Sequence, residues 1–281
     1  MVNKEVRKIK IGNIKMTKLI AEIGWNHMGD MKLAKEMILA AKESGCDFAK
    51  FQTWSVERLK RGSWDTDGRR EIYENAELSF DKHMELKQYC DEVGIGFMSS
   101  VFSIEDAKLL KQVVTDYVKI PSFESRNVEL IDYCRKNFNK LLISTGTSNW
   151  NEIKLSVHKL NYHEYSLLHC VSSYPCDFDI VNLPRINALS ELSKSVGFSD
   201  HTQGIEASVL SLAYGVDYIE KHFTIDNDLP GRDNKFAILP NEMKRLSEYI
   251  SISNKVMKSK GHNFQECELD SRNNYTGRFN G

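Results

Sequence analysis

Two histidines, His201 in "GFSDHTQG" and His222 in "IEKHFT", each stand at the end of a short apolar run of β-strand character. If the two runs are neighbours in a sheet, both imidazoles reach one point. A pair of neutral imidazoles suits Mn²⁺, Zn²⁺, Fe²⁺ or Co²⁺, with water and substrate oxygens in the remaining positions. The plainer alternative is that each ring hydrogen-bonds separately to backbone or carboxylate. Strand parity turns Asp200 away from the pair and makes it a cap or a supporting group. His27, His169 and the helical histidines fit structural roles.

Lys50 and Lys119 also lie at the ends of such runs. An ammonium group is not buried without an anion, because an unpaired buried charge costs several kcal/mol. Hydroxyls of Ser100, Ser122, Ser144, Ser172 and Ser199 would add donors. Two lysines and a ring of serines suit a small ligand carrying phosphate and carboxylate. Pairing of the lysines with Glu22 or Glu124 is the competing account. A buried lysine, Lys119 or Lys221, would also serve a Schiff-base aldolase, although such an enzyme needs no metal.

These residues need a frame that gathers strand ends. Eight short runs rich in β-branched and aromatic residues occupy 18–24, 47–54, 95–102, 116–123, 140–146, 165–175, 195–202 and 218–225. Amphipathic helical segments separate them, among them "GIEASVLSLAYG", which closes on a C-terminal glycine. "SIEDAKLLKQV" offers a capping box at Ser103 and Asp106. Eight strands alternating with helices is the pattern of an α/β (β/α)8 TIM barrel, in which chemistry sits at the C-terminal strand ends. A doubly wound sheet would want G-x-G-x-x-G after its first strand, and "AEIGWNHMGD" lacks it. The polar residues fall where a barrel wants them. Glu22 is at the end of the first run, Lys50 and Gln52 at the second, Ser100 at the third, and Lys119, Ser122 and Glu124 at the fourth. Ser144 follows at the fifth, Ser172 and Tyr174 at the sixth, Ser199 and His201 at the seventh, and Glu220 and His222 at the eighth.

A segment at 9–15, "IKIGNIK", is expected to form a short N-terminal hairpin closing the barrel floor. The barrel is expected to occupy 1–262, with a last helix from about Pro240 and a polar tail over 263–281. With 38 basic and 39 acidic residues the formal net charge is -1, so no global field recruits nucleic acid or a membrane surface. No leader or long apolar run is apparent, and the six cysteines show no CxxC pair, which suggests reduced thiols in a cytoplasmic protein.

Seven segments in order, "AEIGWNH", "KFQTW", "KIPSFE", "ISTG", "LHCVSSYP", "GFSDHTQG" and "IEKHFT", resemble the sialic acid synthase family over about residues 10–245. Its members condense phosphoenolpyruvate with an open-chain hexosamine, typically N-acetylmannosamine, to give nine-carbon 2-keto-3-deoxy sugar acids. The resemblance implies that His201 and His222 hold a divalent metal, usually Mn²⁺ or Mg²⁺ with Co²⁺ as a substitute, beside the acceptor aldehyde. It implies that Lys50, Ser100, Lys119, Ser122, Ser144, Ser172 and Ser199 grip phosphoenolpyruvate, and that Glu22 activates the water attacking its C2. Gln52, Glu124, Tyr174 and Asp233 would contact the acceptor sugar, and the family pairs as homodimers.

Two departures from the family pattern stand out. The chain stops where the family continues into a small antifreeze-like domain. The family's G-P-D-H-x-x-S-x-x-P appears as "GRDNKFAILP", in which Asp233 survives but Arg232, Asn234 and Ala237 replace proline, histidine and serine. Arg232 and Lys235 add positive charge beside the mouth, which is either a solvated loop or the mark of a differently shaped or anionic acceptor. The competing functional accounts are the Schiff-base aldolase and a catalytically silent barrel that binds a sugar acid or supports a partner synthase.

Overall fold

The computed structural model describes residues 16–161 and 163–279, so the expected hairpin at 9–15 lies outside the described residues. Eight strands, β1 (Lys18–Gly24), β2 (Phe48–Thr53), β3 (Gly96–Val101), β4 (Tyr117–Ile120), β5 (Lys140–Ser144), β6 (Tyr165–Cys170), β7 (Val196–Asp200) and β8 (Tyr218–His222), form a closed barrel in sequence order. Every neighbouring pair is parallel, including β1 with β8. Around it run α1 (Met31–Glu43), α2 (Arg69–Ala76), α3 (Phe80–Val93), α4 (Ile104–Lys111), α5 (Val128–Asn137), α6 (Trp150–Leu160), α7 (Arg185–Leu189), α8 (Glu206–Ser211), α9 (Pro240–Val256) and α10 (Leu269–Asn274). This is the expected TIM barrel.

Period-two alternation sorts the strand residues into two sets. One set packs outward on the helices, including Leu19, Ala21, Ile23, Ala49, Phe51, Val118, Ile120, Ile143, Phe198 and Ile219. The other forms a separate cluster inside the barrel: Ile20, Phe48, Met98, Leu142, Leu168 and Tyr218, with Tyr117 against it. β7 contributes Gly197 to this inner set, because an added Cβ there would stand 2.8 Å from the Tyr218 carbonyl and 3.0 Å from Leu168. Two residues further along the same strands the inward positions turn polar, and this change from oil to charge makes the floor of the site.

Several strands stop earlier than the apolar runs suggest. β4 ends before Pro121, which has no N–H to donate to a ladder, and Ser122 and Glu124 follow in a 3-10 turn. Ser172 and Tyr174 lie in the loop after β6, and His201 is one residue beyond β7. The capping box is also altered. Ser103 accepts from the Asp106 amide at 3.1 Å, but the Asp106 carboxylate takes the Phe102 amide at 3.3 Å and pairs with Arg58. Helix α8 does pass through a 3-10 turn into Gly215, whose φ of +70° is the left-handed geometry expected of that glycine.

The described residues from 255 onward, the end of α9 and the tail beyond it, are all exposed, and α10 is a short helix in the tail that the sequence pattern did not suggest. All six cysteines are free and five are buried. Among the described residues no helix is long and apolar enough to cross a membrane.

Candidate active site

Above the apolar floor, four charged side chains meet inside the barrel. Lys50 pairs with Glu22 and donates to Ser100 Oγ at 2.9 Å, with Glu220 Oε2 at 3.7 Å. Lys119 donates to Glu220 Oε1 at 3.1 Å, and Ser199 donates to the same oxygen at 2.8 Å. Gln52 donates to Glu22 Oε1 at 2.8 Å. All four charged groups are at most 6% exposed, so their charges are balanced against one another rather than by water.

The two carboxylates are driven in opposite directions. Burial, reinforced by the neighbouring Glu220 charge, raises the Glu22 pKa despite Lys50. Burial also works against ionised Glu220, but Lys119 and Lys50 together overcome it and hold that carboxyl well below the usual range. Pairs of carboxyls separated in this way take distinct acid–base roles. Glu220 is held as an anion between two lysines, while burial works against the ionised form of Glu22.

The imidazoles sit at the mouth of this lumen. The His201 and His222 ring centroids are 5.5 Å apart, and the Tyr174 ring lies 4.1 Å from His201 and 5.8 Å from His222. His201 donates from Nδ1 to the Val171 carbonyl at 2.7 Å, which leaves its other nitrogen for a ligand. Burial, with His201 and Lys50 adding to it, keeps His222 well below the usual histidine pKa and therefore neutral. His222 Nδ1 is buried with no hydrogen-bond partner, and Asp233 Oδ2 is 3.9 Å away. A neutral imidazole with an unpartnered buried nitrogen, next to a second imidazole, fits a divalent cation. Among the described residues no group of three or more His, Cys, Asp or Glu side chains is arranged to hold one.

A hydroxyl cradle flanks the lysines. The Ser144 and Ser172 hydroxyl oxygens are buried without partners. A Cβ added to Gly146 would stand 2.6 Å from Ser172 Oγ and 2.7 Å from Ser122 Oγ, so only glycine lets both hydroxyls approach the backbone there. Ser122 donates to Cys170 Sγ at 3.3 Å.

Most of the expected residues therefore converge: Glu22, Lys50, Gln52, Ser100, Lys119 and Ser199 through direct contacts, and His201, His222, Tyr174 and Asp233 around the imidazoles. Glu124 does not join them by contact; its carboxylate accepts from Asn127 at 2.9 Å at the start of α5. The lysine–carboxylate pairing that competed with an anion site is present for Lys50 with Glu22, whereas Lys119 pairs with Glu220 and not with Glu124. Lys221, one of the two Schiff-base candidates, faces the outside of the barrel wall and is bonded to Asp200 and Thr202. Asp200 does turn away from the histidines. The sequence puts Glu220 at the end of the eighth run beside His222 without assigning it a role, and gives none to Cys170, 3.7 Å from His201 Nδ1. Both are two residues beyond an inner apolar residue, Tyr218 and Leu168, and that spacing was the available signal.

A family model described as the NeuB family matches residues 37–262. The chain belongs to the NeuB family. N,N'-diacetyllegionaminic acid synthase of Legionella pneumophila is 36% identical over 290 residues, covering 96% of this chain and 82% of the relative. Pseudaminic acid synthase of Helicobacter pylori is 32% identical over 251 residues, covering 84% and 74%. Among solved structures, N-acetylneuraminic acid (sialic acid) synthetase from Leptospira borgpetersenii, in complex with citrate, superposes with a TM-score of 0.85 at 28% identity, covering 98% of this chain and 96% of that one. The barrel is thus that of a NeuB-family, sialic acid synthase-type enzyme.

Proposed function

We propose that this NeuB-family enzyme condenses phosphoenolpyruvate with an open-chain aldose, an N-acetylated hexosamine or a relative of one, releasing phosphate and a 2-keto-3-deoxy nonulosonic acid. The observation that carries this is the lumen itself: two buried lysines, two carboxylates of opposed acidity and unpartnered serine hydroxyls beneath two imidazoles.

These positions support the following course of reaction. Phosphoenolpyruvate enters with its phosphate and carboxylate toward Lys50, Lys119 and the hydroxyls of Ser100, Ser122, Ser144, Ser172 and Ser199. The ammonium groups turn part of their charge from Glu22 and Glu220 to the ligand. His201 and His222 would hold a divalent metal, Mn²⁺ first with Mg²⁺ or Co²⁺ as alternatives, which supplies Lewis-acid polarisation of the acceptor aldehyde when bound. Carbon C3 of the enol ether attacks the aldehyde carbon, forming the new C–C bond, and positive charge develops at C2. Glu22 faces that charge, takes a proton from the incoming water, and so delivers hydroxide to C2. The tetrahedral adduct collapses to the ketone with cleavage of its C–O bond to phosphate, which leaves into the field of the lysines with the proton of the C2 hydroxyl, while the aldehyde-derived alkoxide takes up the proton that Glu22 drew from water. Gln52, Tyr174 and Asp233 line the approach of the acceptor, with Glu124 at the rim; Asp233, its pKa raised by burial, is suited to hydrogen-bonding sugar hydroxyls.

Arg232 bears on the acceptor. Its guanidinium lies 5.7 Å over the Tyr174 ring, is 72% exposed, and meets Asp233 only at 3.4 Å. A cation held there with spare donors suits an acceptor with a negative group remote from its aldehyde. Phosphate release from phosphoenolpyruvate, followed with Mn²⁺ or chelator across a panel of open-chain aldoses, tests the reading. Sugar-dependent release with retained water-derived oxygen in the keto acid is expected. An imine trapped by borohydride with pyruvate would replace it with the Schiff-base mechanism.

A further inference from the structure

One residue before each histidine, β7 and β8 carry a second pair on the opposite face of the wall. Asp200 and Lys221 are register partners. Lys221 Nζ lies 2.9 Å from Asp200 Oδ2, and the side chains are 2% and 0% exposed. Each is tied into the backbone beside His201. The Thr202 amide donates to Asp200 Oδ1 at 2.8 Å, and Lys221 Nζ donates to the Thr202 carbonyl at 2.5 Å. Ser208 of α8 donates to Asp200 Oδ2 at 2.6 Å, which fixes the carboxylate from the helix side. One ion pair therefore holds the residues on both sides of His201 and the residue preceding His222.

A buried ion pair is a poor source of net stability compared with apolar packing, but its directional bonds fix geometry. Here that geometry is the spacing of two strand ends whose next residues are the imidazoles. We infer that Asp200 and Lys221 are positioning residues: their ion pair sets the separation and orientation of His201 and His222 for a divalent cation. This rests on the metal-dependent reading above.

The test compares wild type with Asp200→Asn, Lys221→Met and Lys221→Arg. Mn²⁺ dissociation constants are taken from electron paramagnetic resonance titration, foldedness from urea denaturation, and the imidazoles from ¹H–¹⁵N spectra. Folded Asp200→Asn and Lys221→Met should bind Mn²⁺ about tenfold or more weakly, with phosphoenolpyruvate binding in chelator unchanged. Lys221→Arg keeps the charge and secures a folded sample, but its planar fork cannot reproduce the ammonium contacts, so it should fall between. Affinity within twofold of wild type in the folded variants overturns the inference, even if they are less stable. If wild type binds no Mn²⁺, the metal reading fails while the positioning role is decided by the spectra: shifted His201 and His222 resonances in the variants support it, and unchanged ones overturn it.

Discussion

Lys119 on β4 and Glu220 on β8 meet across the barrel at 3.1 Å, although 101 residues separate them in the chain. Glu220 also faces Lys50 and accepts from Ser199, so one carboxylate orders both ammonium groups of the proposed phosphoenolpyruvate site. Glu220→Gln should leave two buried ammonium groups with one carboxylate and destabilise the fold by about 3 kcal/mol. Its kcat/KM for phosphoenolpyruvate should fall at least tenfold at temperatures where it remains folded. Denaturant melts and phosphate-release kinetics measure the two effects, and a variant unchanged in both would remove Glu220 from the site.

Glu22 is expected to behave differently, because its proposed part is proton transfer. Glu22→Gln keeps the hydrogen bond with Gln52 but cannot accept a proton. A fall in kcat of about 10²–10⁴ is expected, with phosphoenolpyruvate affinity altered only a few-fold. If kcat stays within tenfold of wild type, the base is elsewhere.

Acid should weaken the fold through two buried histidines. Burial lowers His27 and His169 from the usual 6.5 to about 4. Their rings are buried, His27 Nδ1 accepting from the Gly29 amide at 3.0 Å and His169 Nε2 donating to the Val181 carbonyl at 2.6 Å. The folded state thus binds fewer protons than the unfolded one between these values. Their contribution is fully present above about pH 6.5 and is lost as pH falls toward about 4, at about 1.4 kcal/mol per group for each pH unit. Urea midpoints should fall between pH 7 and 5, and His169→Gln should flatten that slope. An identical slope in the variant would assign the acid sensitivity to other groups.

Charge reversal at the mouth tests the acceptor. Arg232→Glu with Lys235→Glu should raise the KM for an anionic acceptor about tenfold or more, since charge-assisted contacts are each worth more than 1 kcal/mol, and should leave the KM for phosphoenolpyruvate nearly unchanged. An unaltered acceptor KM would return both residues to the status of a solvated loop.

The repeating strand–helix pattern, the period-two alternation and the strand ends bearing Lys50, Lys119, His201 and His222 are local properties. Each depends on residues a few places apart, and all could be read along the chain. The rotation of Asp200 away from the histidines followed from the same parity. Partnership between charges is a different matter. From sequence, Glu124, five positions from Lys119, is one of two candidate counter-ions with Glu22, but Pro121 ends β4 and the following turn carries Glu124 to Asn127. Closure of the barrel brings Glu220 to Lys119 instead. Closure also packs Glu22 and Glu220 into one dry volume, where burial, opposed by Lys50 alone, raises Glu22 while Lys119 and Lys50 together lower Glu220. Sequence spacing carries no information about such sharing, because it depends on distances across a lumen that exists only once β8 has paired with β1.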